Sequence, residues 1–515
     1  MHFSIQCSGR SFLVAGLLLA MAATPCSAQP EQVAKPAEAI RNVLQTGDLP
    51  RQKAVLFLIP ELGLKGPEAA TTVTTLEAYL RRAPDVESQC LALSAYGKLG
   101  PTAPNAAKLL QPYLRSTNPI VQRSAVQAVS STIMVSSVEF AKAGTVVLGD
   151  ADAASAIIGP GLTELWLNSW RRVVSARHME DFDLDRFSRD CAALLPLYST
   201  ALDSTDEEVK KTAADGLTLT SQTLAELFAN AEVREEGPAR IDPLEIRRRA
   251  ESLQPAFVAL NKTSAGLRSA LDSPNRSTRL AAVRAADSMG VLRRRTQAGT
   301  IKPAEDPLRP GLTALLPIVT RMFNDPSAEV RLTAVEAIEQ AGPEARSQLA
   351  AVIQATRSDD LFVRWVATRT LGKILAASPD GGTDRIVAAL GDRVADPDLD
   401  VVSAAMTALA KGGNASRPAI DAVLKRAVTG DPDTCTQAIY TLESIDKDRR
   451  CSVAGLMPAL RSDSPRIRKA AVVFLGRSGK SARSALGALA QLIADPEEDV
   501  RKEAARSILL IEKEL

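Results

Sequence analysis

Apolar and small residues recur along the C-terminal part of the chain with a long, regular period. Anchors at Val330, Val363, Val401, Thr434, Ile467 and Val500 are separated by 33, 38, 33, 33 and 33 residues. Four positions after them stand Ala334, Ala367, Ala405, Ala438, Ala471 and Ala504, and eight positions after them Ile338, Leu371, Leu409, Leu442, Leu475 and Ile508. These offsets fall on one face of a helix, and the small residue in mid-face admits a close neighbour. Asp325-Pro326, Asp396-Pro397, Asp431-Pro432 and Asp495-Pro496 predict the helix starts. Each Asp is expected to cap orphan backbone N–H groups, with the Pro just inside the helix, where its missing donor costs nothing. Room remains in each period for a second helix, as at 344–355 and 481–494. Each repeat thus reads as an antiparallel helix pair whose apolar face needs the next pair to cover it.

Upstream the pattern loosens. Ser88, Ala92 and Tyr96 fit it, as do Val121, Ala125 and Val129, then Val209, Ala213 and Leu217, then Thr278, Ala282 and Ala286. The expected organisation is helical repeats over 29–134, an irregular helical insertion over 135–200, repeats again over 201–296, a Pro- and Gly-bearing linker over 297–309 and a repeat array over 310–515. The fold class that follows is all-α, an α-α superhelix of stacked antiparallel pairs.

The run Asp325-Pro326, Val330-Arg331, Ala334, Ile338, repeated as Asp495-Pro496, Val500-Arg501, Ala504, Ile508, resembles the HEAT-repeat family of α-solenoids. Val363-Arg364 and Ile467-Arg468 carry the same pair. The resemblance implies a ladder in which this Arg meets the turn Asp of the adjacent repeat, broken where Val402 and Cys435 replace the Arg. Armadillo repeats of about 40 residues fit only the 38-residue interval, and the Trp, Gly, Tyr and Pro pattern of tetratricopeptide repeats is missing. The family specifies a shape far more than a biochemical task.

The first residues speak about destination. One Arg precedes an apolar run from Phe12 to Ala23, followed by small and turn-forming residues up to Ala28. That is the order of a secretory signal peptide over 1–28, cleaved after Ala28. The residues before Cys26 do not make a lipobox. A periplasmic or secreted bacterial protein is expected, with no stable membrane insertion once the signal is removed. Cys90, Cys191, Cys435 and Cys451 would remain, spaced for isolated thiols and not for a disulfide framework.

Composition narrows the chemistry. The 515 residues carry 62 Lys and Arg against 60 Asp and Glu, a net charge of +2, which provides no general positive surface for nucleic acid. From that balance a partner would be expected to bind with weak salt dependence. Of two histidines only His178 survives signal removal. It lies near Asp181, Asp183 and Asp185, the one carboxylate cluster with metal-like spacing, but Arg186 and Ala192 stand where a calcium loop needs Gly and Glu. No phosphate loop, zinc helix or nucleophile elbow is present. The sequence therefore implies a non-enzymatic scaffold that binds another protein, needs no cofactor and holds no metal. The alternative is an enzyme or ligand site within 135–200, built on His178, Asp181, Asp183 and Asp185. Surface-lining residues are expected on the second helices, among them Arg346, Gln348, Gln354, Arg417, Lys425 and Arg426. Neither the partner's identity nor the oligomeric state follows.

Overall fold

A computed structural model describes residues 35–100, 103–142, 183–229, 232–233, 240–241, 243–297, 306–377 and 383–514. The signal segment, His178 and Asp181 lie outside them. The chain divides into two compact units, Met1–Leu315 and Leu316–Leu515.

The N-terminal unit contains α1 (Pro36–Thr46), α2 (Leu49–Leu58), α3 (Gly66–Leu80), α4 (Val86–Lys98), α5 (Ala103–Leu114), α6 (Pro119–Lys142), α7 (Leu184–Leu202), α8 (Glu207–Ala229), α9 (Pro243–Ser252), α10 (Gln254–Thr263), α11 (Leu267–Leu271) and α12 (Arg276–Gln297). Helices α2, α4, α6, α8 and α12 pack successively in one layer, while α5, α7 and α10 follow one another in the other. The loosely matching upstream positions all lie on the first layer and are buried, including Ser88, Tyr96, Val209 and Thr278. Gly97 has a packing reason: a Cβ there would stand 2.8 Å from the Ala128 backbone, so α4 and α6 meet at that point. A two-residue antiparallel strand pair, Glu232–Val233 with Arg240–Ile241, joins α8 to α9.

The middle of the expected insertion over 135–200, residues 143–182, lies outside the described residues. The first residues of that span continue α6 to Lys142, and its end is α7, which packs on α5, α8 and α10 as an ordinary member of the second layer. The expected linker also contains structure. Asp306 is buried against Arg293 of α12, and α13 (Arg309–Arg321) begins at its last residue.

The C-terminal unit begins within α13. It continues with α14 (Ala328–Ala341), α15 (Leu349–Ala355), α16 (Leu361–Ala376), α17 (Asp384–Arg393), α18 (Leu399–Gly412), α19 (Ile420–Thr429), α20 (Pro432–Ile445), α21 (Arg450–Gly455), α22 (Pro465–Arg477), α23 (Leu486–Gln491) and α24 (Glu498–Lys513). The anchor helices α14, α16, α18, α20, α22 and α24 stack in order, and each second segment packs beneath the next anchor helix. Several second segments open with a 3-10 stretch, as at Gly342–Gln348, Gly413–Ala419 and Gly479–Ala485. Gly342, Gly413 and Gly479 each stand twelve residues after an anchor at φ of 60°, 52° and 50°, a conformation that favours glycine and turns the chain back.

Val330, Ala334, Ile338, Val363, Ala367, Leu371, Ile467, Ala471, Leu475, Val500 and Ala504 are buried. Ile508 departs from the pattern: it is half-buried, and Ser507 and Ile511 take the inward positions of α24. No helix among the described residues is long and apolar enough to cross a membrane.

Candidate protein-interaction surface

The turns between repeats carry the charged ladder. Arg331 donates through one guanidinium nitrogen to the carbonyls of Asp325 and Pro326, at 3.0 and 3.2 Å, and through another to Asp360 of the next turn, at 3.1 Å. Arg364 repeats the device, with Ser358 and Asp359 carbonyls on one side and Asp396, 3.3 Å away, on the other. Arg468 makes the best geometry, two parallel 2.7 Å bonds to Asp495. Those bonds, made to a buried carboxylate, hold Asp495 below the ordinary carboxylate range. Arg501 binds the Asp495 and Pro496 carbonyls, so it keeps the half of the device that lies within its own repeat.

At Val402 the ladder lacks its Arg, and the structure fills the gap from another element. Arg426 of α19 lies 3.2 Å from Asp431 and donates to Thr434 Oγ1 at 2.9 Å. Arg426 is therefore not a free lining residue, as the sequence implied, but part of the turn. Arg393 holds the same position, eight residues before an anchor, and joins Arg364 on Asp396. At Cys435 the thiol donates to the Arg426 carbonyl at 3.2 Å.

The four Asp-Pro starts are not equivalent. Asp431 stands three residues before its anchor and caps α20, accepting from the Asp433 and Thr434 N–H groups, with Pro432 in the first turn. Asp325, Asp396 and Asp495 stand five residues before theirs, two residues ahead of the caps Ser327, Asp398 and Glu497. There each buried carboxylate accepts the N–H of that cap residue and shapes the turn. The cap at Asp398, and the one at Asp360, were missed because no Pro follows them; the three-residue distance to the anchor would have found both.

Asp183 and Asp185 are exposed at the start of α7, where Asp183 caps the helix by accepting the Arg186 N–H at 2.9 Å. No group of three or more His, Cys, Asp or Glu among the described residues is placed to hold a metal. A groove of about 380 Å³ runs between α7 and α10, lined by Ala192, Pro196, Ser199, Pro255, Val258, Ala259, Lys262 and Thr263. Thr263 spends its hydroxyl on the Leu195 and Ala259 carbonyls, and the lining brings together no acid–base pair. The four cysteines among the described residues are free, with Cys191 and Cys435 buried and their thiols pushed above the ordinary range by that burial.

What the arrangement offers is surface. On the second segments Arg346, Gln354, Arg417 and Lys425 are exposed, while Gln348 is half-buried. On the anchor layer Phe362, Leu399 and Tyr440 each expose half or more of their area, and Arg369 lies 4.6 Å from the Trp365 ring.

The HEAT-repeat family matches residues 315–410 and 420–509, the same stretch in which the ladder and the buried anchors recur. No curated protein matches the chain by sequence. Among solved structures, an engineered protein is 17% identical over 93% of this chain and 99% of its own, with a TM-score of 0.41. A mutant of Kap121p is 13% identical over 99% of this chain and 57% of its own, at a TM-score of 0.38. Kap121p bound to Nup53p is 14% identical over 93% of this chain and 53% of its own, at a TM-score of 0.38. The chain thus spans little more than half of these karyopherins.

Proposed function

Residues 315–410 and 420–509 match the HEAT-repeat family, and on that premise we propose that the chain is an exported, non-enzymatic scaffold that binds another protein. One observation carries this reading: successive helix pairs spend their apolar positions on each other and leave a face of every second segment exposed along the C-terminal unit. Repeated helices of this kind suit a broad, shallow interface better than a reaction centre. The N-terminal residues Phe12 to Ala28 support a periplasmic or secreted location.

The test is expression of the full chain in a Gram-negative host, followed by fractionation, N-terminal sequencing and cross-linking in the native envelope fraction. The expected result is a mature chain beginning at Gln29 and a reproducible cross-linked protein partner whose contacts map to exposed repeat residues. An unprocessed chain retained in the cytoplasm would overturn the export reading. Turnover of a small molecule that fails when His178 is replaced would overturn the non-enzymatic one.

A further inference from the structure

Net charge near zero conceals an uneven distribution. On the anchor layer, neighbouring helices neutralise one another: Arg466 pairs with Asp433, Arg477 with Glu443 at 3.2 Å and Lys469 with Asp499 at 2.6 Å. The second segments between Gly413 and Ala494 follow a different rule. They and the turn before α21 expose Lys425, Lys447, Arg461, Lys480 and Arg483, none of which forms an ion pair among the described residues. Arg417 is the exception, engaged with Asp448 at 3.0 Å. The exposed acids among them are Asp421, the paired Asp448 and, at the edge of the next turn, Asp463. These segments touch in sequence, α19 against α21 and the 3-10 stretch Met457–Arg461, and α21 against the 3-10 stretch Gly479–Ala485, so the cations share one continuous layer.

We propose that this layer docks an acidic stretch of a polypeptide, which deepens the scaffold reading and rests on it. Unpaired cations along one layer attract an extended anionic chain, and desolvation at contact favours a ligand that also has apolar side chains to place. Val428 and Ile493 supply exposed apolar area on the same segments. The layer contains no aromatic residue over 413–430, 447–461 or 479–494, so it lacks the stacking platform that single-stranded nucleic acid uses. The weak salt dependence expected from net charge assumes mixed charges, and here they are separated.

The experiment titrates the full chain with fluorescent poly-L-glutamate, with a single-stranded DNA oligomer and with anionic phosphatidylglycerol vesicles. Poly-L-glutamate is expected to bind, and to lose about tenfold or more in affinity between about 50 and about 200 mM salt. The triple variant Lys425→Glu, Arg461→Glu, Arg483→Glu should lose about tenfold or more, while Arg385→Glu with Lys411→Glu, exposed cations elsewhere in the unit, should lose about twofold or less. Circular dichroism of each variant shows that the fold is retained. No binding of poly-L-glutamate, equal losses in both variants, or tighter binding of DNA or vesicles would each overturn the proposal. A protein cross-linked elsewhere on the repeats in the envelope experiment would leave the scaffold reading standing while this docking surface fell.

Discussion

Asp495 shows how much one side chain holds at a repeat junction. Its carboxylate receives two Arg468 bonds and the Glu497 N–H while buried, so removing its charge leaves a guanidinium with little water to replace it. Asp495→Asn should therefore cost about 2–3 kcal/mol at neutral pH, read by urea unfolding. The pH dependence has a definite sign. The folded carboxyl sits below its ordinary value of 3.8, so its contribution is present at higher pH and is lost as pH falls through the folded value. The variant should show a flatter acid limb below about pH 4; an unchanged limb would contradict the assignment. The Asp-Pro dipeptide at this position was visible in the sequence, but its role was not. A carboxylate five residues before an anchor lies outside the helix and accepts the N–H of the cap residue, whereas one three residues before it caps the helix; either can also meet the preceding repeat's Arg, as Asp495 and Asp360 do. Only the distance to the anchor separates the two roles.

Helices and their junctions were more legible than the contacts between them. The burial of Val330, Val363, Ile467 and Val500 follows from the offset pattern, because each position needs a neighbouring helix to cover it. The Arg426 substitution does not follow, since its position on a second helix aligns with no anchor motif and its partner is defined only once α19 and α20 pack. Arg426→Ala should destabilise this junction by about 1 kcal/mol. Arg426→Lys should recover only part of the loss, because a point charge cannot serve Asp431 and Thr434 through separate fixed donors. Full recovery by Lys would reduce the contact to simple charge balance. Helix α7 went unrecognised for a related reason. Its apolar residues, among them Phe187, Leu194 and Tyr198, have helical spacing but lack the anchor signature, since they belong to the second layer.

At the scale of the whole molecule, repetition was readable and charge placement was not. A sum over all residues hides the cations that the second segments between Gly413 and Ala494 expose, because pairing is decided by which helices become neighbours. The same neighbour relations are the central claim: each anchor helix lies against the anchor helix of the next repeat. Zero-length carbodiimide cross-linking of the full chain, followed by peptide mass spectrometry, tests this most directly. Lys53 lies 2.5 Å from Glu87, and Lys469 lies 2.6 Å from Asp499, so stacked repeats should produce the links Lys53–Glu87 and Lys469–Asp499. Links from these lysines to carboxylates of non-adjacent repeats, with both expected links missing, would contradict the stacked arrangement.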